Sequence, residues 1–352
     1  MEFAQIIIDW YQHHKRDLPW RHTTDPYIIW LSEIIMQQTR VEQGTPYFNR
    51  FAERYPTVSD FASAEEDDIL KLWQGLGYYS RGRNMHYTAQ MVMEEHGGYF
   101  PKDYDSLLKL KGIGEYTAAA ISSFSSNEAR AVVDGNVFRL LARYFGIDTP
   151  INSGKGKKIF TELANQLIDK TQAGIYNQAA MEFGSLVCKP KSPDCPRCPL
   201  QFGCEAYSSG RVNDLPVKIK NQKIRERHFN YVIAVNEKGI LMNKRGPNDI
   251  WENLYELPLF ETQASTDPGA LTISEDFVKA FGNQVHIKSA VGPVKHILSH
   301  QKLYATFIEI ENYSEQFTPP NGWMYVKMQD LEGLAQPKLI FHFFKNFFKL
   351  KD

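Results

Sequence analysis

Leu110-Lys111-Gly112-Ile113-Gly114-Glu115-Tyr116-Thr117-Ala118-Ala119-Ala120-Ile121 places two glycines, one residue apart, between an amphipathic stretch and an alanine-rich one. The pattern predicts two helices joined by a tight hairpin. Glycine permits positive φ in such a turn and leaves backbone N–H groups bare where the second helix begins. Bare amides at a helix N-terminus favour an anion, and a single DNA phosphate fits. A helix–helix turn with no ligand would use the same two glycines.

Downstream lies Val132-Val133-Asp134-Gly135-Asn136-Val137, an apolar run interrupted by one carboxylate. Taken alone, Asp134 reads as the N-cap of a helix that continues through Arg139 and Arg143. Upstream, Trp30-Leu31-Ser32-Glu33-Ile34-Ile35-Met36-Gln37-Gln38-Thr39 sets Glu33 in an apolar helical stretch. Desolvation there would raise its pKa and leave it able to donate a proton near neutrality. A buried structural glutamate bonded to backbone is the plainer alternative.

All four cysteines of the chain fall together, as Cys188, Cys195, Cys198 and Cys204. Four thiols in one short loop suit a soft metal centre. Two disulfides are the alternative, but they belong to small secreted domains and nothing at the N-terminus argues for export. Zinc sites more often pair two close-spaced knuckles, whereas here only Cys195 and Cys198 form one, which favours a 4Fe-4S cluster.

The 352 residues are 43% hydrophobic and 23% charged, with a net charge of -1, which is ordinary for a soluble chain long enough for two domains. No global basicity points to nucleic acid, so a DNA-binding face must come from local clusters. Lys218, Lys220, Lys223, Arg225 and Arg227 form one such cluster, readable as a solvated linker or as phosphate contacts. Met1 to Tyr11 carries Glu2 and Asp9 and no basic leader, so it reads as an amphipathic helix. The apolar run from Ile28 to Met36 is broken by Ser32 and Glu33 and is too short to span a bilayer. A soluble, intracellular protein, cytoplasmic and without membrane contact, is expected. To about residue 207 the periodicity is helical. Short β-branched and aromatic runs follow at 231–235, 239–242, 301–308 and 324–326, with helical patterns at Thr272–Phe281 and Ile340–Leu350. The expected fold is multidomain: an all-α unit over 1–207 ending in the cysteine loop at 188–204, a basic linker over 208–228, and an α+β unit over 229–352.

The hairpin, the Asp134 segment and the cysteine loop, in that order, resemble the helix-hairpin-helix DNA glycosylase superfamily in its endonuclease III branch. The Glu33 segment with its double glutamine looks like the MutY-type adenine DNA glycosylases, as do Leu18-Pro19-Trp20-Arg21 and Gly75-Leu76-Gly77-Tyr78-Tyr79-Ser80-Arg81. Trp251-Glu252-Asn253-Leu254-Tyr255-Glu256-Leu257-Pro258 and Val294-Lys295-His296-Ile297-Leu298-Ser299-His300 resemble the Nudix-like domain with which these enzymes recognise 8-oxoguanine. The acidic Nudix box is missing, which argues against pyrophosphohydrolysis. Leu298 stands where relatives commonly carry phenylalanine.

The resemblance implies hydrolysis of the N-glycosidic bond of adenine mispaired with 8-oxoguanine or guanine in double-stranded DNA. Protonated Glu33 would serve as general acid, and ionised Asp134 would stabilise the sugar cation, supported by Asn136 and Tyr116. Backbone-cutting relatives use a lysine where this chain has Tyr116, and a phenol cannot form an imine, so a monofunctional enzyme is implied. Gly112 and Gly114 would grip phosphate; Gln38 and Tyr78 would enter or prop the base stack. Arg16, Trp20, Arg21 and Glu182 would line the adenine pocket, and Ser299 and His300 would face the opposite base. A 4Fe-4S cluster on the four cysteines would fold its loop and present Lys189, Lys191 and Arg197 to phosphates. A monomer is expected.

Overall fold

The computed structural model describes residues 2–219, 224–311, 313, 317 and 319–347. The chain divides into two compact units, one of residues 1–64 and 84–220, the other of residues 65–83 and 221–352.

The first unit is helical. It holds α1 (Phe3–His14), α2 (Pro26–Met36), α3 (Val41–Arg54) and α4 (Val58–Ala62). The short α5 (Glu66–Leu72) belongs to the second unit, and the boundary falls within α6 (Ser80–Glu95). There follow α7 (Tyr104–Leu107), α8 (Glu115–Ser126), α9 (Gly135–Tyr144), α10 (Gly154–Leu167), α11 (Ala173–Leu186) and α12 (Glu205–Ser208). Local sequence explains the ends. Pro26 opens α2 at a position where no N–H is needed, and the Asp25 side chain accepts from the Tyr27 amide at 2.9 Å. From Pro26 to Ile35 nearly every residue of α2 is buried, so this is a core helix, packed on α3 and α8. Helix α11 packs against α1, α8 and α9, around Ile7, Leu141, Phe160 and Phe183.

The second unit is built on strands β1 (Arg225–Asn236), β2 (Gly239–Lys244), β3 (Tyr255–Glu256), β4 (Leu259–Thr262), β5 (His286–Ile297), β6 (Gln301–Glu311) and β7 (Trp323–Val326). Their order is β3-β2-β1-β6-β5, with β4 on β1 and β7 on β2. β1 and β6 run parallel, and the other pairs are antiparallel. Helices α13 (Pro268–Thr272), α14 (Glu275–Phe281) and α15 (Lys338–Phe347) complete it.

Several expectations need correction. The segment 272–281 is not one helix: α13 closes on Ile273, and Ser274 starts α14, whose Val278 amide bonds to the Ser274 carbonyl at 2.9 Å. β1 starts at Arg225, within the expected linker. The earlier part of that segment is packed, not solvated: Leu215 is buried, and the Ile151 amide donates to the Val217 carbonyl at 3.0 Å. Lys220 and Lys223 lie outside the described residues, as do 348–350 at the end of the last expected helix. β5 carried no strand signal because it is exposed at almost every position, so apolar and polar residues do not alternate.

Candidate active site

Helix α2 carries Glu33 and helix α8 carries Tyr116, and the packing of the two brings these side chains together. The Tyr116 hydroxyl donates to Glu33 Oε2 at 2.7 Å. Glu33 is buried, and burial pushes its carboxyl up to about 7 from 4.5; Tyr116 pulls down, Asp134 pushes up and Arg21 pulls down. Burial, with Glu33 and Asp134 nearby, holds the Tyr116 phenol well above its ordinary range, so it stays a donor. Glu33, Tyr116, Asp134 and Arg21 therefore share one electrostatic neighbourhood.

Asp134 caps α9, as the sequence alone suggested. Its Oδ1 accepts from the amides of Asn136 at 2.9 Å and Val137 at 2.7 Å, and its Oδ2 accepts from Asn136 Nδ2 at 2.7 Å. Burial raises its pKa, and the three donors and Arg139 oppose that rise. The two carboxyls differ in kind: Glu33 has one hydroxyl donor, whereas Asp134 sits in a cradle of N–H groups that suits a negative charge.

Glu182, on α11, is a third buried carboxyl with the opposite outcome. Burial would raise it, yet Arg16 and Arg21 hold it down at about 2. Arg16 donates to Oε1 at 2.9 Å and Oε2 at 2.7 Å, and Arg21 to Oε1 at 3.1 Å and Oε2 at 2.8 Å. Arg21 also lies 5.5 Å over the Tyr11 ring. Trp20 meets Phe48 edge-on.

At the hairpin, Gly112 takes φ +78, and a Cβ there would come within 3.0 Å of Asn84. Gly114 differs: it is an extended N-cap at φ -95, and nothing stands within 4 Å of where its Cβ would be. Only the first glycine is needed for backbone conformation; the second leaves open space at the start of α8. A cavity of about 550 Å³ opens there, lined by both glycines, Tyr116, Arg130 and Lys157. Gln38 is exposed with φ +57. Tyr78, with φ +48, and Ser299 belong to the second unit, where their hydroxyls meet, and the His300 carbonyl there accepts from the Arg225 amide.

The four cysteines are free thiols lining one cavity with Arg143 and Leu200. Arg143 Nη1 lies 3.5 Å from Cys188 Sγ and donates to the Lys189 carbonyl at 2.7 Å. Burial and the neighbouring thiols raise Cys195, Cys198 and Cys204, with Cys198 pushed up to about 11. Thiols that crowd one another in this way fit a bound cationic centre, which would ionise them. Among the described residues no three metal-binding side chains are grouped as they would be around a single ion. Arg197, expected to face phosphate, is exposed and paired with Asp194 at 3.1 Å.

Arg139 escaped the sequence reading. Its Nη2 donates to Asn136 Oδ1 at 2.9 Å and its Nε to the Cys188 carbonyl at 2.6 Å, so it joins the Asp134 cradle to the cysteine loop. The only available signal was its place one turn beyond Asn136 on α9. No helix among the described residues is long and apolar enough to cross a membrane.

Residues 31–167 match the HhH-GPD superfamily of base excision DNA repair proteins, and residues 230–346 match the NUDIX domain. The adenine DNA glycosylase of Buchnera aphidicola from Schizaphis graminum is 36% identical over 75% of this chain and 76% of its own length. That of Buchnera aphidicola from Acyrthosiphon pisum is 30% identical over 98% and 99%. The Homo sapiens adenine DNA glycosylase is 41% identical over 58% of this chain and 39% of its own. Among solved structures, a thermostable thymine-DNA glycosylase superposes with a TM-score of 0.55 at 29% identity, covering 59% of this chain and 95% of that one. An endonuclease III in a DNA complex gives 0.51 at 22% identity over 59% and 94%, a likeness of fold.

Proposed function

Because the chain belongs to the adenine DNA glycosylases, DNA N-glycosylases of base excision repair, we propose that it binds duplex DNA and removes adenine paired with 8-oxoguanine or guanine without cutting the backbone. The observation that carries this reading is the buried Glu33 carboxyl, bonded to Tyr116 and poised at about 7 beside Asp134.

The glycosidic bond of a stacked adenine is out of reach, so the nucleotide must be flipped, at a cost of a few kcal/mol. The hairpin amides at Gly112 and Gly114 hold a phosphate, while Gln38 fills the space left in the stack. Arg16, Arg21, Glu182 and Trp20 receive the base. As the C–N bond breaks, its electron pair moves to adenine and positive charge develops on the sugar. Glu33, half protonated near neutrality, delivers its proton to a ring nitrogen of the leaving base, a contribution of ~10² to 10⁴ in rate. Asp134, in its cradle of donors, stabilises the sugar cation by charge, and Asn136 keeps it aligned. The Glu33 carboxylate then activates the water that adds to the sugar, with Tyr116 orienting it. The second unit reads the base opposite adenine through Tyr78, Ser299 and His300.

Cys188, Cys195, Cys198 and Cys204 would hold a 4Fe-4S cluster, which when bound cross-links its loop. Support comes from their convergence on one cavity with Arg143. The chain is taken to act as a monomer.

Single-turnover excision from a duplex holding adenine opposite 8-oxoguanine, compared between wild type and Glu33→Gln, tests the reading. The variant should lose at least a hundredfold in rate, on the order of the acid contribution. Equal rates would remove Glu33 from the chemistry, and no release by either would remove the substrate. Borohydride should trap no covalent complex, because Tyr116 supplies no amine.

A further inference from the structure

The second unit contains an open cleft of about 360 Å³, lined by Tyr78, Trp251, Leu298, Ser299 and His300. Trp251 is the unusual member. It has φ +62, a conformation that suits glycine and that asparagine tolerates but a bulky side chain does not. Asn248 at φ +67 and Asn253 at φ +64 flank it, so three left-handed residues fall within one short loop.

That conformation persists because the surroundings impose it. Asp249 accepts from Arg227 through both oxygens at 2.7 Å and from Arg245 Nη2 at 2.5 Å, and its Oδ1 accepts from the Ile250 amide at 2.7 Å. Arg245 Nε donates to the Ile250 carbonyl at 2.7 Å, and the Arg245 carbonyl accepts from the Asn253 amide at 2.9 Å. Both arginines are buried, and Arg245 is tied to the buried Glu256 at 2.6 Å. A buried ionic network of this extent is weak evidence for stability, since apolar side chains would serve the core as well. Its geometric effect is to fix the loop. The Trp251 ring meets Phe229 and His296 edge-on and stays half exposed toward the cleft.

Strain concentrates where a surrounding scaffold holds a side chain ready for a ligand. A cleft with two aromatic rings and the hydroxyls of Tyr78 and Ser299 suits a planar heteroaromatic ligand with a hydrogen-bonding edge, which describes a nucleobase. We propose that Trp251 is the stacking wall for the base opposite the excised adenine, a specificity-determining residue presented by the Asp249 network. The inference rests on the reading above that this unit recognises that base.

Two duplexes separate the ideas. Each carries a fluorinated, uncleavable deoxyadenosine, opposite 8-oxoguanine in one and opposite an abasic analogue in the other. Wild type should bind the first more tightly. Trp251→Leu, which keeps apolar volume, should lose about 5- to 150-fold on the first, the equivalent of stacking one base, and nothing on the second. Trp251→Phe should retain most of the preference. Loss of the same factor on both duplexes, or on neither, would overturn the assignment, because a merely structural tryptophan does not sense whether a base is present. A wild type that fails to distinguish the duplexes would sink the recognition reading itself, and this inference with it.

Discussion

Replacing Glu33 by glutamine should have opposite effects on stability and on chemistry. The carboxyl is buried, has a single hydroxyl donor and titrates at about 7 instead of 4.5. Between those two values the folded protein keeps a proton that the unfolded chain has released. By linkage, the stability that Glu33 contributes is complete below about pH 4.5 and is lost as pH rises through about 7. The interval between the two values corresponds to about 3 kcal/mol. Glutamine cannot ionise, yet its carbonyl oxygen can still accept from Tyr116, so the variant escapes this loss. It should exceed wild type by about 3 kcal/mol at pH 8 and by about 1 kcal/mol or less at pH 5. Urea titrations followed by far-ultraviolet circular dichroism at the two pH values give both numbers, the helical unit dominating the signal. Single-turnover excision on the same preparations supplies the other half, where the variant should be nearly inert. A variant less stable than wild type at pH 8, or an advantage that does not grow with pH, would refute the argument, for then the carboxyl is not held against its own desolvation.

Wild-type excision under single-turnover conditions should fall tenfold per pH unit above about 7, as the proposed acid loses its proton. Glu182 has the reverse sign: held at about 2 against 4.5, it stabilises above about pH 4.5 and ceases to do so as pH falls through about 2. Glu182→Gln should cost about 3 kcal/mol in urea titrations at neutral pH, because two arginines lose their shared partner. Gly112→Ala should lower stability by about 1 to 2 kcal/mol, read as the melting temperature, given its positive φ and the crowding by Asn84. Gly114→Ala should melt like wild type and lose DNA affinity alone, since only an incoming phosphate would meet the new methyl group. Cys198→Ser should purify without visible iron–sulfur absorbance and bind duplex DNA more weakly, as measured by titration.

What the sequence revealed and what it hid divide along the range of the interactions. The hairpin turn and the Asp134 cap are made by residues two or three apart, so spacing sufficed to find them. Strand β5 was missed because its exposed face erases the alternation by which strands are recognised. The grouping of 65–83 with the second unit was equally invisible, since it depends on bonds such as Tyr255 to Asp67 across 188 positions. The same limit applies to the chemistry. Glu33, Asp134 and Glu182 are all buried or half-buried acids in or at the start of helical segments, and nothing within a turn of either glutamate explains why those two differ. Glu182 is held charged by arginines 161 and 166 positions away, while Glu33 is offered a single phenol 83 positions away. Only Asp134 carries its donors in its own vicinity, and for that reason it alone looked like an ordinary cap. A local pattern can mark where an acid stands, but whether that acid holds its proton is determined by what the fold later brings against it. The proposed division of labour between a protonated and an ionised carboxyl is therefore a property of how α2, α8, α9 and α11 pack. A substitution that shifts α2 against α8 should abolish catalysis even where both acids remain.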